Sequence, residues 1–167
     1  AAELSEANTR IADMIYVNTM EACGKDAAAK AQRLGPPAVL VPAAYGDGHM
    51  QPYEWLRCPN GDLRKIDSAG HDCDHTLVGR QPVAWDIAGA IVEWQLDPPA
   101  TEHLLRAYRR AGGGAIDAGT LAFYQAAYLA FRMGQCALAA QMHDPYERPR
   151  LLATYEAYRQ RLVEQLG

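Results

Sequence analysis

Three aspartates at nearly regular spacing are the residues of this sequence best suited to chemistry. Asp47 lies in Tyr-Gly-Asp-Gly-His, Asp67 follows twenty residues later in Lys-Ile-Asp-Ser, and Asp86 nineteen residues after that in Ala-Trp-Asp-Ile. Phosphoryl transfer needs one carboxylate to accept the proton of the acceptor hydroxyl and another to hold magnesium. The order predicts a site of that kind, in which a third carboxylate braces the loop from a buried helix.

Each aspartate also has a simpler interpretation. Asp67 ends a predicted strand, where a turn residue is common, and Asp47 stands between two glycines, as in many tight turns. Asp86 falls in the first turn of a predicted helix, where a carboxylate complements the helix dipole. The combination of the three in order, and not any one of them, favours the site.

A polar loop follows the second aspartate and reads His-Asp-Cys-Asp-His over residues 71–75. Adjacent ligands rarely all face one ion, and zinc sites usually take ligands from a second cluster elsewhere in the chain. We therefore do not expect zinc, and we interpret His71, Asp72, Asp74 and His75 as residues at the rim of a substrate site.

The predicted fold is mainly α with one small β-hairpin, an α+β chain forming a single domain over residues 1–167. Apolar spacing predicts helices over 4–34 and a helical tail over 82–166. Residues 38–81 contain the glycines, prolines and alternating segments expected of a loop and hairpin region.

Turn residues locate the hairpin at about residues 53–67. Asn60 and Gly61 form a strong two-residue turn signal between alternating segments. On the second strand, Leu63 and Ile66 are expected to pack inward. Pro82 is expected to open the next helix, because proline fits the first helical turn.

Composition limits the classes of partner. The chain has 167 residues, 49% of them hydrophobic, and a net charge of −4, which does not favour nucleic acid or an anionic membrane surface. The longest apolar run, over 83–96, is interrupted by two acidic residues and is too short to span a bilayer. No signal-peptide pattern is present and the four cysteines form no CxxC pair, so we expect a cytoplasmic protein.

Taken together, the motifs resemble the aminoglycoside phosphotransferase and choline kinase-like family of the protein-kinase superfold. Residues 45–49 resemble its catalytic loop His-Gly-Asp-x-His-x-x-Asn, and 64–69 resemble its metal motif Ile-Asp-x-x-x-Ala. Residues 79–88 resemble Gly-Asp-Pro-x-x-Asp-Leu-Ala, which opens a buried helix. The similarity covers roughly residues 38–135 and implies the C-terminal lobe of the kinase-like fold.

The resemblance also implies cofactors and roles. ATP and Mg²⁺ would be the cofactors and a small molecule the substrate. Asp47 would be the catalytic base and Asp67 a metal ligand, while Asp86 and His49 would brace the loop. The second metal ligand of the family, an Asn, falls near Pro52 or, after two extra residues, at Glu54, which becomes the second candidate metal ligand.

Departures from the family pattern shape the remaining expectations. Tyr45 replaces the first His of the catalytic loop, and Gly79 and Arg80 replace the usual Gly-Asp. No Gly-rich loop or strand lysine precedes the catalytic loop, although the family uses both to hold ATP. We therefore expect a missing N-terminal lobe or self-association, and an isolated chain that is inactive.

Three functions follow from these residues. The first is ATP- and magnesium-dependent phosphoryl transfer to a small-molecule hydroxyl, with this chain as part of the enzyme. The second is a non-catalytic binding or assembly module with a degenerate kinase-like site. The third is a small metal-dependent hydrolase that uses residues 71–75.

Overall fold

In the part of the chain that the structure describes, helices dominate and four short strands join them. The computed structural model describes residues 2–37, 42–66, 80–142 and 145–167. The helices are α1 (Ala2–Cys23), α2 (Lys25–Leu34), α3 (Ala84–Glu93), α4 (Pro98–Arg110), α5 (Ala118–Met142) and α6 (Arg148–Leu166). The strands are β1 (Ala43–Ala44), β2 (Trp55–Arg57), β3 (Leu63–Lys65) and β4 (Gln81–Pro82). The mainly helical α+β class predicted from the sequence is confirmed.

Helix α5 forms the centre of the packing. Helices α1, α3 and α6 all pack against it. A helix that is apolar on all sides needs such a surrounding, because each exposed apolar face would otherwise meet water. Its buried residues include three aromatic side chains and several alanines that let neighbouring helices approach closely: Phe123, Tyr124, Ala126, Ala127, Tyr128 and Ala130. None of the helices in the described ranges is long and apolar enough to cross a membrane.

Polar contacts fix α1 on α5. The Tyr124 hydroxyl donates to Asn8 Oδ1 at 2.6 Å, and Asn18 Nδ2 donates to the Ala130 carbonyl at 2.9 Å. A Cβ placed on Gly134 would lie 2.7 Å from Asn18 Nδ2, so glycine is needed for this approach. The contacts join residues more than a hundred positions apart.

A second polar group joins α3, α5 and α6. Glu93 Oε1 accepts hydrogen bonds from the hydroxyls of Tyr128 and Tyr158, both at 2.8 Å. The Arg132 guanidinium lies 3.6 Å from the same oxygen and 5.7 Å from the centre of the Tyr158 ring. Burial, and then the nearby Glu93 charge, raises the pKa of Tyr128, which keeps its hydroxyl a donor.

The hairpin lies where the sequence predicts it. Strands β2 and β3 pair antiparallel, with Trp55 opposite Lys65, and Gly61 takes a φ of +88° in the turn. The inward packing predicted for Leu63 and Ile66 is wrong, since they are 44% and 56% exposed. The inner side of the hairpin instead carries Trp55, whose ring meets that of Trp94 edge to face at 6.2 Å.

A second strand pair corrects the predicted start of the helical tail. Ala43 pairs with Pro82 and Ala44 with Gln81, and the Val83 N–H donates to the Pro42 carbonyl at 3.0 Å. Pro82 therefore belongs to β4, and α3 begins at Ala84. Proline is tolerated there because a strand of two residues at an edge does not need its missing N–H. The pair holds the segment after β1 against the first turn of α3.

Candidate functional site

The carboxylate of Asp86 holds the loop that follows β1. Its Oδ2 accepts the backbone N–H of Asp47 at 3.0 Å, and its Oδ1 accepts the N–H of Gly48 at 2.9 Å. A Cβ on Gly46 would lie 2.8 Å from Asp86 Oδ2, so the loop approaches this closely only with glycine at that position. These hydrogen bonds agree with the loop-bracing interpretation of Asp86.

Holding this carboxylate in place has an electrostatic cost. Burial raises the pKa of Asp86, and the hydrogen bonds from Gly48 and Asp47 oppose that rise without cancelling it. Asp86 itself is half-buried, so water solvates its carboxylate only in part. The two backbone hydrogen bonds thus fix the loop and also offset part of the cost of burying the Asp86 charge.

The loop and the hairpin bring two carboxylates to one ammonium group. Lys65 Nζ lies 3.1 Å from Asp47 Oδ1 and also contacts Glu54 Oε2. The three side chains are 14%, 13% and 12% exposed for Lys65, Asp47 and Glu54. Burial acts to lower the pKa of Lys65, but its hydrogen bonds to Glu54 and Asp47 outweigh that effect and raise the pKa above its ordinary value.

The His49 ring lies next to the second carboxylate oxygen of Glu54, the one that does not contact Lys65. Its Nδ1 is 3.6 Å from Glu54 Oε1, and its backbone N–H donates to Asp47 Oδ1 at 3.3 Å. The backbone contact closes the loop around the Asp47 side chain. We refer to Asp47, His49, Glu54 and Lys65 as the carboxylate–lysine cluster.

The two carboxylates of the cluster are ligands of the type that magnesium takes in proteins. Mg²⁺ in proteins is usually held by one or two carboxylates, together with water and substrate phosphates. Asp47 and Glu54 supply such a pair, and the ammonium of Lys65 shows that a positive charge is accommodated between them. Within residues 2–37, 42–66, 80–142 and 145–167, no group of three or more His, Cys, Asp or Glu side chains is assembled around one point.

The structure brings together four of the predicted site residues, namely Asp47, His49, Glu54 and Asp86. The predicted metal ligand Asp67 lies outside the described residues, so its proximity to Asp47 stays a prediction. The predicted rim residues also lie outside the described ranges: His71, Asp72, Asp74 and His75.

Sequence reasoning missed Lys65. Its signal was present, because the Asn-Gly turn sets a register that pairs Lys65 with Trp55, the residue after Glu54. Glu54 ends the 3₁₀ turn before β2, and the Lys65 ammonium reaches its carboxylate from the facing strand.

No protein-family model, no curated protein and no solved structure matches this chain. The kinase-like family therefore stays a resemblance, carried by the motifs quoted above.

Proposed function

We propose that this chain is the acceptor side of a phosphotransferase of the kinase-like C-lobe type, which moves the γ-phosphoryl group of ATP to a hydroxyl of a small molecule. One observation carries the proposal. The Asp86 carboxylate fixes the backbone of Asp47, and the same loop and hairpin bring Glu54 and Lys65 to the Asp47 side chain. The proposed base Asp47, the candidate metal ligand Glu54 and the cation Lys65 are thus in contact with one another.

The roles follow from what phosphoryl transfer requires. The acceptor oxygen forms a bond to phosphorus as the bond to the ADP oxygen breaks, and the acceptor proton passes to Asp47. Bound magnesium would supply charge neutralisation on the phosphates, and Glu54, together with Asp67 as the resemblance implies, would hold it. Lys65 adds a positive charge next to the reacting group, where a preformed charge costs no reorganisation.

The surface next to the cluster suits a small organic acceptor. Tyr45, at the start of the loop, is 71% exposed, and Tyr53, directly before Glu54, is 74% exposed. Leu56 on β2 is 57% exposed. Exposed rings beside a polar centre give an acceptor an apolar face to lie on while its hydroxyl meets Asp47. The same residues would support the predicted self-association or contact with a second lobe.

The test is phosphoryl transfer by the full 167-residue chain and its Asp47→Asn variant. Radiolabelled ATP, Mg²⁺ and a panel of amino sugars and amino alcohols are incubated with each protein at high concentration for hours, because a chain without an ATP-holding lobe should transfer only slowly, and labelled product is counted. Loss of a general base lowers the rate by about 10²–10⁴-fold. Asp13→Asn is the matched control, because Asp13 is an exposed aspartate on α1. Equal rates for wild type and Asp47→Asn would contradict the proposal.

The second candidate, a non-catalytic binding module, is favoured by one observation. Lys65 pairs with both Asp47 and Glu54, an arrangement that by itself satisfies the carboxylates without any substrate. This candidate predicts no transfer with any acceptor, together with a folded protein whose Asp47→Asn variant still binds the same ligand as the wild type. Thermal-shift screening of the acceptor panel against both proteins separates the two functions.

A further inference from the structure

A small pocket lies between the C-terminal end of α5 and the N-terminal end of α6. Its volume is about 210 Å³, and it is lined by Ala137, Ala140, Gln141, Arg148, Leu152 and Tyr155. We refer to it as the α5–α6 pocket. It shares no residue with the carboxylate–lysine cluster, so it is a second place on the chain where a ligand can be received.

Small side chains on α5 leave this space open. Ala137 and Ala140 lie three residues apart, and residues at that spacing are neighbours on one side of a helix. Leu152, which lines the pocket from α6, remains 46% exposed. Further along the same two helices the interface is filled, since Tyr158 and Leu162 are buried. The pocket therefore offers apolar surface that a ligand would remove from water.

The volume of the pocket sets the size of its ligand. A closed apolar cavity of about 150 Å³ holds one molecule of benzene. At about 210 Å³, the α5–α6 pocket has room for one ring and a short substituent. A nucleotide is too large to fit inside it, so the pocket is not a second site for ATP.

One cation defines the polar end of the pocket. Arg148 is the only charged residue among the described lining residues, and Gln141 adds an amide that can donate and accept. The acid next to it in sequence, Glu147, is engaged by another arginine, since Arg150 Nε donates to its carboxylate at 2.8 Å. A guanidinium presents two parallel N–H donors, which match the two oxygens of a carboxylate.

We propose that the α5–α6 pocket binds a small carboxylate with an apolar body the size of one ring, such as an arylacetate, and that Arg148 pairs with its carboxylate. The ring lies against the alanines of α5 and against Leu152 and Tyr155. Burial raises the pKa of Tyr155, so its hydroxyl stays protonated and adds a donor. This site goes beyond the proposed function, because it needs neither ATP nor Asp47.

The test uses 4-fluorophenylacetate as the probe and follows its ¹⁹F NMR signal during titration with the full chain. A ligand of about ten heavy atoms should bind with a Kd of about 1 mM. The neutral probe 4-fluorophenylacetamide has the same ring, and it should bind about tenfold more weakly because it cannot form a charge-assisted pair. No binding of the carboxylate, or equal Kd values for the two probes, would overturn the inference.

Two substitutions locate the binding. Arg148→Gln should weaken binding of the carboxylate about tenfold and leave that of the amide unchanged. Arg110→Gln is its matched control, because it removes the same charge from the exposed end of α4. Ala137→Leu fills the pocket and should weaken binding of both probes, whereas Ala153→Leu, on the exposed side of α6, should not. Unchanged carboxylate affinity in Arg148→Gln or in Ala137→Leu would contradict the proposed site.

A measurement on the wild type covers a variant that does not fold. In backbone ¹H–¹⁵N spectra, the carboxylate probe should cause its largest shifts over residues 137–141 and 148–155. Shifts centred on other residues would refute the site. The Asp47→Asn variant should bind the probe as the wild type does, so this inference and the proposed function stand or fall separately.

Discussion

Replacing Asp86 by alanine should loosen the loop that carries Asp47 without disturbing the helical core. The substitution removes the acceptor of two backbone hydrogen bonds, from Asp47 at 3.0 Å and from Gly48 at 2.9 Å. Both donors belong to residues that are half-buried, so water replaces the carboxylate only in part. The expected result is a lower free energy of unfolding.

The magnitude follows from opposing effects at Asp86. Each hydrogen bond to a charged group contributes about 1.5–3 kcal/mol, which gives about 3–6 kcal/mol as an upper bound for two. Burial opposes this, because it raises the pKa of the carboxyl in spite of the hydrogen bonds, and alanine recovers that cost. We expect a net destabilisation of about 1–3 kcal/mol. For a chain of this size, 2 kcal/mol corresponds to a decrease in Tm of about 4–8 °C.

A double-mutant cycle with Gly46 tests the reasoning more sharply than the single variant. In the wild type, a Cβ on Gly46 would lie 2.8 Å from Asp86 Oδ2 and push the two apart. In the Asp86→Ala background that oxygen is gone, so Gly46→Ala should cost much less there. Urea unfolding followed by circular dichroism gives all four stabilities. An unchanged unfolding curve for Asp86→Ala, or equal costs of Gly46→Ala in both backgrounds, would refute the bracing role.

Two further predictions concern the helices. Gly89→Ala should destabilise the protein by about 1–3 kcal/mol in urea unfolding, because the added Cβ would lie 2.7 Å from the buried Tyr128 ring. Gly114→Ala is the control and should be neutral, because its Cβ would make only an ordinary contact, at 3.9 Å from Pro42 Cδ. Asp117→Ala should lower Tm at neutral pH, since hydrogen bonds from Thr120 lower the pKa of Asp117 at the start of α5. A carboxyl whose pKa is lower in the folded state stabilises the protein at pH values above its unfolded pKa of about 3.9, and this stabilisation is lost as the pH falls through the folded pKa. The difference in Tm between wild type and Asp117→Ala should therefore become smaller in acid. A difference in Tm that is constant down to pH 2 would contradict this prediction.

Local signals in the sequence predicted much of this fold. The Asn-Gly turn located the hairpin because Gly61 adopts a positive φ that other residues resist. Apolar spacing predicted the helical tail, and its longest helix follows Asp117, whose side chain accepts the N–H of Thr120 at 2.9 Å. The apolar setting of Asp86 predicted that it would need donors from the loop, and Asp47 and Gly48 supply them.

The misses came from long-range pairing. Pro82 was predicted to open a helix because no local signal shows that Ala43, nearly forty residues earlier, pairs with it. Leu63 and Ile66 stay exposed, and the packing contact of the hairpin is instead that of Trp55 with Trp94, which lies on a distant part of the chain. The contact of Lys65 with Asp47 was missed for the same reason, since Asp47 becomes its neighbour only after the loop folds back onto the hairpin.

The central position of α5 has a consequence for how the chain is made. The Asn18 side chain on α1 donates its hydrogen bond to the Ala130 carbonyl, which lies 112 residues further along the chain. Ribosomes add about 5–20 residues per second, so α1 spends roughly 6–22 s outside the exit tunnel before its partner helix has been translated. During that interval Ile11 and Ile15, which become almost fully buried in the finished protein, lack the surface that α5 provides. Helices α1 and α2 therefore wait longer for their packing partner α5 during synthesis than α3, which lies closer to α5 in the sequence.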